Sequence, residues 1–348
     1  MVKMTDKQYE YKILTELPDV EMRDKWDDFL QDTRFATHYV TPDFFIDPFA
    51  GRGQRFAVLA MNGDRIDAVL TGVKRNKSIA SGLAVRPQTA FRNGIDLSAA
   101  AMALAVGVAS FAGETGELID LHSWEVIEGL DRLGYEHKAA TGADQVVMLD
   151  LTKGPDQLFK EFSERRRTDL RKTIKQDKLT VKMLETEAEL AELYEIHKHW
   201  NGQKGNKPDS FDWFQAFLTS KNRVVLIAIF EGKVVAGTYL RFCERGVVEY
   251  AANNSLAEYQ KLRPNELLGW RAIEWACSAG FAKFSMGASH PFLARFGGEL
   301  RSAYRYRLDR TFLKVHVNRE RLSQLALKTY LSLPTSIRHR IKSATARI

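Results

Sequence analysis

The stretch RVVLIAIFEGKVVAGTYLRF, residues 223–242, decides the fold of the second half of the chain. Two apolar, β-branched runs flank Glu231-Gly232-Lys233, and a short glycine-containing connection between such runs is typical of a β-hairpin. Around it, the pattern predicts strands at 181–184, 247–252, 281–286 and 304–313, and helices at 187–200, 211–218, 265–278 and 291–295. Strands therefore alternate with helices throughout this half.

The first half repeats this order of elements without repeating its residues. Residues 55–60 (RFAVLA) and 65–74 predict two strands joined by the turn Asn62-Gly63-Asp64. The elements predicted after them are a long helix at 97–111, a strand at 117–121, a helix at 123–133, and strands at 135–139 and 146–151. The sequence thus predicts an α/β (α+β) fold of two tandem domains, each a mixed, mostly antiparallel sheet flanked by helices.

The predicted domains cover residues 1–152 and 153–348. The second includes a basic helix at 155–177 and ends in a basic tail after Pro334. Arg167, Arg171 and Lys175 follow one another at helical spacing, which suits contact with the phosphates of a polyanion. The tail could contact RNA or acidic lipid, but a frayed end is the simpler interpretation.

Composition limits the classes of protein to consider. The chain has 348 residues, of which 45% are hydrophobic and 27% are charged, enough for two globular cores. The net charge of +7 favours a polyanionic partner: RNA, a nucleotide-linked substrate or an acidic membrane face. With only two cysteines and no His or Cys cluster at ligand spacing, we expect no disulfide framework and no metal. No signal peptide and no apolar stretch long enough to span a membrane are evident, so we expect a cytoplasmic protein, with peripheral membrane contact left open.

Three stretches of the second half resemble the FemAB family of transferases. Residues 162–172 (FSERRRTDLRK) resemble the basic helix that joins its two domains. Residues 249–268, from Glu249-Tyr250-Ala251-Ala252 onward, resemble the family's strand, loop and helix start. Residues 292–298 (FLARFGG) resemble its F-K-x-x-F-G segment, although Leu293 stands at the lysine position.

This resemblance implies two GNAT-like (acetyltransferase-type) domains joined by the basic helix. It also implies transfer of an aminoacyl or acyl group to an amine of a peptidoglycan precursor or another peptide-like or small-molecule acceptor. Aminoacyl-tRNA or acyl-CoA would be the co-substrate, with no tightly bound cofactor. The Gly-rich turn of acyl-CoA-binding domains is missing before residue 265, where Pro264 lacks an N–H, and this favours tRNA.

Acyl transfer to an amine requires aligned substrates, a stabilised oxyanion and removal of a proton. Glu249 and Tyr250 lie on opposite faces of one predicted strand. Either is a candidate catalytic residue, as proton relay or oxyanion donor. The alternative is a packed tyrosine and a surface glutamate.

Candidate substrate-binding residues occupy the surrounding loops and helix starts: Asn253, Arg263, Asn265, His290, Arg295 and Lys204. Asn265 alternatively caps the helix at 265–278, and Arg295 could replace the missing lysine. Lys204 belongs to a polar loop that either closes over substrate or is a solvated connector. We expect Tyr250, Arg263 and Arg295 to flank a single cleft.

Two other functions remain open on the sequence alone. Loss of the lysine at Leu293 is compatible with an RNA-binding module on a degenerate transferase fold. An acyl-CoA-dependent biosynthetic acyltransferase for exopolysaccharide or a secondary metabolite would share the same fold.

Overall fold

The computed structural model describes residues 9–33, 35–114, 116–203, 205–244 and 246–333. The strands are β1 (Glu10–Leu14), β2 (Gln54–Asn62), β3 (Arg65–Arg75), β4 (Ser78–Ser81), β5 (Thr89–Phe91), β6 (Leu118–Ser123), β7 (Glu136–Ala139), β8 (Val146–Asp150), β9 (Thr180–Met183), β10 (Arg223–Phe230), β11 (Lys233–Phe242), β12 (Val247–Ser255), β13 (Lys283–Ala288), β14 (Glu299–Arg301) and β15 (Tyr304–Asp309). The α-helices are α1 (Val20–Gln31), α2 (Leu97–Ala112), α3 (Pro155–Glu161), α4 (Glu164–Gln176), α5 (Glu187–Gln203), α6 (Phe211–Thr219), α7 (Pro264–Ser278), α8 (Pro291–Ala294) and α9 (Val315–Ser332).

These strands form two mixed sheets. The first has the order β1-β2-β3-β4-β6-β15-β7, with β5 beside β3, and the second has the order β14-β8-β13-β12-β11-β10-β9. The pairs are antiparallel except β4–β6 and β12–β13, which are parallel. The predicted α/β class, with two mostly antiparallel sheets flanked by helices, is confirmed.

Each sheet also takes one strand from the other side of residue 152. Strand β8 pairs with β13 and β14 in the second sheet, although it precedes that residue. Strand β15 pairs with β6 and β7 in the first sheet, although it lies near the end of the described chain. The division at residue 152 stays a prediction, and any boundary has to accommodate this exchange.

The alanine-rich helix α2 shows how the first sheet is covered. Its N-terminus is capped by Asp96, whose carboxylate accepts a hydrogen bond from the N–H of Ala99 at 3.0 Å. Gly107 lets the helix approach the sheet, because a Cβ there would lie 2.5 Å from the Val58 side chain. The longest apolar stretch of the chain is therefore a buried helix. No helix within the described ranges is both long and apolar enough to cross a membrane.

The basic segment predicted as one helix at 155–177 is divided into α3 and α4. Phe162 interrupts the helix and is buried, with its ring 5.4 Å from Trp270 and 5.3 Å from Phe296. Ser163 then caps α4 by accepting a hydrogen bond from the N–H of Arg166. Burial of an aromatic ring outweighs helical continuity at this point.

The helix predicted at 123–133 is also wrong. After β6 the chain forms an irregular loop and a short 3₁₀ helix at Leu130–Leu133. Gly129 and Gly134 flank that turn with φ of 87° and 83°. These left-handed conformations end regular structure on both sides of the turn.

A buried charged cluster joins the two halves. The Asp47 carboxylate accepts hydrogen bonds from Arg223 at 2.7 and 2.8 Å and from Nε2 of His38 at 2.5 Å. The Nδ1 atom of His38 lies 3.1 Å from the carbonyl oxygen of Phe242 on β11. Burial opposes ionisation of Asp47, but the hydrogen bond from His38 and the charge of Arg223 hold its pKa below the usual value.

Candidate functional site

The second sheet opens between its two parallel strands. Strands β12 and β13 pair only from Val247–Lys283 to Glu249–Ser285 and then separate. On the other side of β12 the register to β11 shifts, so that Ala251 is an extra residue between Tyr250 and Ala252. The opening holds a cavity of about 580 Å³. Its lining includes Arg86 from the first half, so both halves contribute to it.

Glu249 lines this cavity at the point where the strands separate. It is buried, and its Oε2 accepts a hydrogen bond from Nε of Arg241 at 2.8 Å. Arg241 is the cross-strand partner of Glu249 and also lines the cavity. Its guanidinium lies 5.4 Å from the ring centre of Tyr39. Glu249 is therefore a fixed carboxylate in the cleft, and the alternative of a surface glutamate is excluded.

Tyr250 also lines the cavity, and its buried hydroxyl forms no hydrogen bond of normal geometry in the described part of the chain, although the Thr238 side chain lies close enough to oppose part of the rise in its pKa. Burial raises the pKa of Tyr250 to about 12. The phenol therefore stays protonated near neutral pH and can donate a hydrogen bond. A buried donor without an acceptor is unusual in a folded protein, and in a cavity it is available to a bound ligand.

Asn265 reaches the same cavity from α7. The predicted capping role is wrong, because α7 begins at Pro264 and its N-cap is Arg263. The Nδ2 atom of Asn265 donates to the Ser255 hydroxyl at 3.0 Å. Its Oδ1 is buried and lacks a partner within the described residues, so it is a second unsatisfied polar atom beside Tyr250.

Asn253 and His290 complete the predicted residues that line the cavity. Nδ1 of His290 accepts a hydrogen bond from the N–H of Phe292 at 3.2 Å, which caps α8. The neutral imidazole consequently carries its proton on Nε2. His290 is thus arranged as a donor rather than a base.

Arg263 and Arg295 do not line this cavity with Tyr250. The prediction that all three flank a single cleft is therefore wrong. Arg263 pairs with Asp169 of α4 at 3.0 Å, which draws its side chain away. Arg295 is exposed, and its carbonyl accepts a hydrogen bond from the N–H of Ser163 at 3.0 Å. Lys204 lies outside the described residues.

Arg166 supports the cavity wall and was not identified from the sequence. Its guanidinium is buried 4.4 Å from the ring centre of Phe292 and 4.3 Å from that of Phe296. It donates to the carbonyl of Phe292 at 2.8 Å and pairs with Glu266 at 3.3 Å. Arg166 therefore ties α4 to the starts of α7 and α8, where Asn265 and His290 lie.

The predicted polyanion-binding residues differ in their availability. Arg167 donates to the carbonyls of Lys160 and Phe162 at 2.8 and 2.5 Å, so its guanidinium is partly used within the chain. Arg171 is exposed, with its guanidinium 5.4 Å from the ring centre of Phe159. Lys175 is exposed on the same helix.

The first sheet has an equivalent opening. Strands β4 and β6 pair in parallel up to Ser81 and Leu121, and a cavity of about 610 Å³ lies beyond them. His122 lines it with Nδ1 3.3 Å from the carbonyl of Ser81, and burial lowers the pKa of this imidazole. In the described part of the chain, no group of His, Cys, Asp and Glu side chains is arranged to hold a metal ion.

Residues 160–306 match the family model of the acetyltransferase (GNAT) domain, and this segment includes all of the cavity walls from the second half. The second half of the chain therefore contains a GNAT-type acyltransferase domain, and the predicted enzyme class is confirmed. None of the curated proteins compared with the chain matches it.

Among solved structures, FemX has a similar fold at 14% identity, with a TM-score of 0.66 over 82% of this chain and 96% of FemX. L-PGS from Bacillus licheniformis gives 14% identity and a TM-score of 0.55 over 90% of this chain and 98% of that one. A tandem GNAT protein from the clavulanic acid biosynthesis pathway gives 11% identity and a TM-score of 0.52 over 87% of this chain and 99% of that one. The predicted resemblance to a FemAB-like pair of GNAT domains is confirmed in fold.

Proposed function

We propose that this protein transfers an aminoacyl group from aminoacyl-tRNA to an amine of a cell-envelope precursor or similar peptide-like acceptor. The observation that carries the proposal is the opening between β12 and β13. It brings together a fixed carboxylate, Glu249, and a buried hydroxyl without a partner, that of Tyr250. With this donor the reaction would take place in the cytoplasm, because aminoacyl-tRNA is found in the cytoplasm.

The chemistry follows from these groups. The amine nitrogen forms a bond to the donor carbonyl carbon, and the bond from that carbon to the ribose oxygen breaks. Tyr250 would donate to the carbonyl oxygen as negative charge develops on it. Glu249 would accept the proton lost by the amine and return it to the leaving ribose oxygen. Oδ1 of Asn265 would accept a hydrogen bond from the attacking nitrogen and orient it.

The start of α7 supports a tRNA donor over acyl-CoA. A helix N-terminus binds phosphate through free N–H groups, but here the first residue is Pro264, which has none. In the same turn, the guanidinium of Arg166 is paired with the carboxylate of Glu266, so this arginine is not free to bind a pyrophosphate. Arg171 and Lys175 remain exposed on α4 for contact with an RNA backbone.

A donor comparison tests the proposal. Purified protein is incubated with tRNA charged with radiolabelled amino acids or with labelled acetyl-CoA. The acceptor is a UDP-linked muramyl pentapeptide carrying a free lysine amine. We expect labelled acceptor with charged tRNA, abolished by ribonuclease pretreatment. If the acceptor is labelled from acetyl-CoA and not from charged tRNA, the donor is an acyl thioester and the proposed tRNA donor is wrong. Tight, salt-sensitive tRNA binding without product from any donor would instead indicate a non-catalytic RNA-binding module.

A further inference from the structure

Helix α9 and the turn before it expose an unusual amount of apolar surface. Phe312 and Leu313 are 86% and 71% exposed, and Leu322 and Leu325 are 67% and 61% exposed. Single exposed apolar residues are common, but a continuous group of large ones marks an interaction surface.

The exposed apolar side chains within α9 share the outer face of the helix. At 100° per residue, Val315, Leu322 and Leu325 lie within one sector of the helix. The opposite sector faces the protein, where Val317 is buried and Glu320 accepts hydrogen bonds from Arg305 of β15. The apolar outer stripe is therefore held in place by the polar contacts of the inner face.

The backbone before α9 keeps the apolar turn exposed. Leu313 and Lys314 have φ of 61° and 48°, although neither is glycine. Left-handed backbone costs a residue with a side chain on the order of 1 kcal/mol. Two such residues in succession reverse the chain direction just before α9 and leave Phe312 and Leu313 exposed to solvent. There, their apolar surface contributes no burial free energy to the stability of the fold.

Positive charge borders the stripe. Residues 310–333 contain five Lys or Arg and one acidic residue, and four more Lys or Arg without an acid follow Pro334 in the sequence. Arg319 and Lys328 are exposed on either side of the stripe. Neither forms an ion pair with a described residue. An apolar stripe with basic edges suits contact with an anionic bilayer surface.

We propose that the outer face of α9 and the turn Phe312-Leu313 dock on an anionic membrane surface. The apolar side chains enter the boundary between headgroups and acyl chains, while Arg319 and Lys328 contact acidic headgroups. Positive edges favour this partner over a second copy of the same face, because two such faces would bring like charges together.

Vesicle flotation tests the proposal with the full-length protein. We expect at least tenfold more binding to phosphatidylcholine vesicles containing 30% phosphatidylglycerol than to pure phosphatidylcholine, and a loss of this preference at 1 M salt. The variant Phe312→Ser/Leu313→Ser/Leu322→Ser should lose at least tenfold in binding, and Arg319→Glu/Lys328→Glu should lose the preference for anionic lipid.

A matched control is Val20→Ser/Ile46→Ser, which replaces two other exposed apolar residues and should bind as the unmodified protein does. Equal binding by all variants, or no binding to anionic vesicles, would overturn the proposal. So would a concentration-dependent dimer that the triple substitution abolishes. Transfer to a water-soluble acceptor should be unchanged in every α9 variant, so this result is independent of the proposed reaction.

Discussion

Replacing Tyr250 with phenylalanine should separate catalysis from stability. The substitution removes only the hydroxyl, which is buried and has no hydrogen-bond partner among the described residues. If that hydroxyl donates to the oxyanion, its loss should lower the rate of transfer by about 10²–10³-fold, or about 2.7–4 kcal/mol in activation free energy. The assay is single-turnover transfer from charged tRNA, with protein in excess over donor.

The free energy of unfolding should change in the opposite direction. An unsatisfied buried polar group costs about 1–3 kcal/mol, so removing this hydroxyl should stabilise the fold by about 1 kcal/mol in urea denaturation. A slower enzyme that is at least as stable as the parent cannot be explained by damage to the fold.

Tyr135 provides a matched control in the first half. Its hydroxyl is also buried without a partner in the described structure, and it packs in the core around α2. Tyr135→Phe should give a similar gain in stability and leave transfer unchanged. The reasoning fails if Tyr250→Phe transfers at the parent rate, or if both variants lose activity equally.

Three further predictions concern buried charges. Glu249→Gln keeps the shape of the side chain but cannot accept a proton, so the transfer rate should fall by about 10²–10⁴-fold. It also leaves the Arg241 charge without its partner, so the free energy of unfolding should fall as well. Arg241→Met leaves Glu249 buried and unpaired and should lower the free energy of unfolding by about 3–5 kcal/mol in urea; a change below ~1 kcal/mol would contradict the ion pair. The lowered pKa of Asp47 contributes stability above about pH 4, lost as pH falls through the folded-state pKa. Between about pH 5 and pH 2, the free energy of unfolding of the parent protein should therefore fall by more than that of Asp47→Asn. Parallel pH profiles of the two proteins would show that Asp47 does not contribute in this way.

The hairpin of β10 and β11 was predictable because its signals are local. Apolar runs and the glycine turn at Gly232 lie within a few residues of one another, and the structure has the hairpin as expected. The segment 292–298 could be recognised from its adjacent glycines, Gly297 and Gly298. Gly298 has φ of 88°, and a Cβ there would lie 2.6 Å from the carbonyl oxygen of Met148, so the backbone itself requires glycine.

The site was only partly predictable because its partners are distant in sequence. Glu249 could be selected as a strand residue, but its pairing with Arg241 depends on the register across the β12 bulge. Arg263 was expected in the cleft, and its attraction to Asp169 requires knowing where α4 packs. Arg86 reaches the cavity from the other half of the chain. None of these placements follows from local spacing.

The exchange of β8 and β15 between the sheets is hidden for the same reason. Both read as ordinary strands, and their sequences contain nothing that selects one sheet over the other. Strand β8 pairs with β13 and β14, and β15 pairs with β6 and β7, so these partners are distant in sequence and local patterns do not identify them.

The most direct test is a crystal structure with a stable donor analogue, an RNA minihelix whose terminal ribose carries an amide-linked amino acid. We predict that its carbonyl oxygen lies between β12 and β13, within hydrogen-bonding distance of the Tyr250 hydroxyl. The amide nitrogen, which takes the place of the leaving ribose oxygen, should face the Glu249 carboxylate. An analogue bound in the cavity beside His122, or on the surface away from β12, would contradict the proposed site.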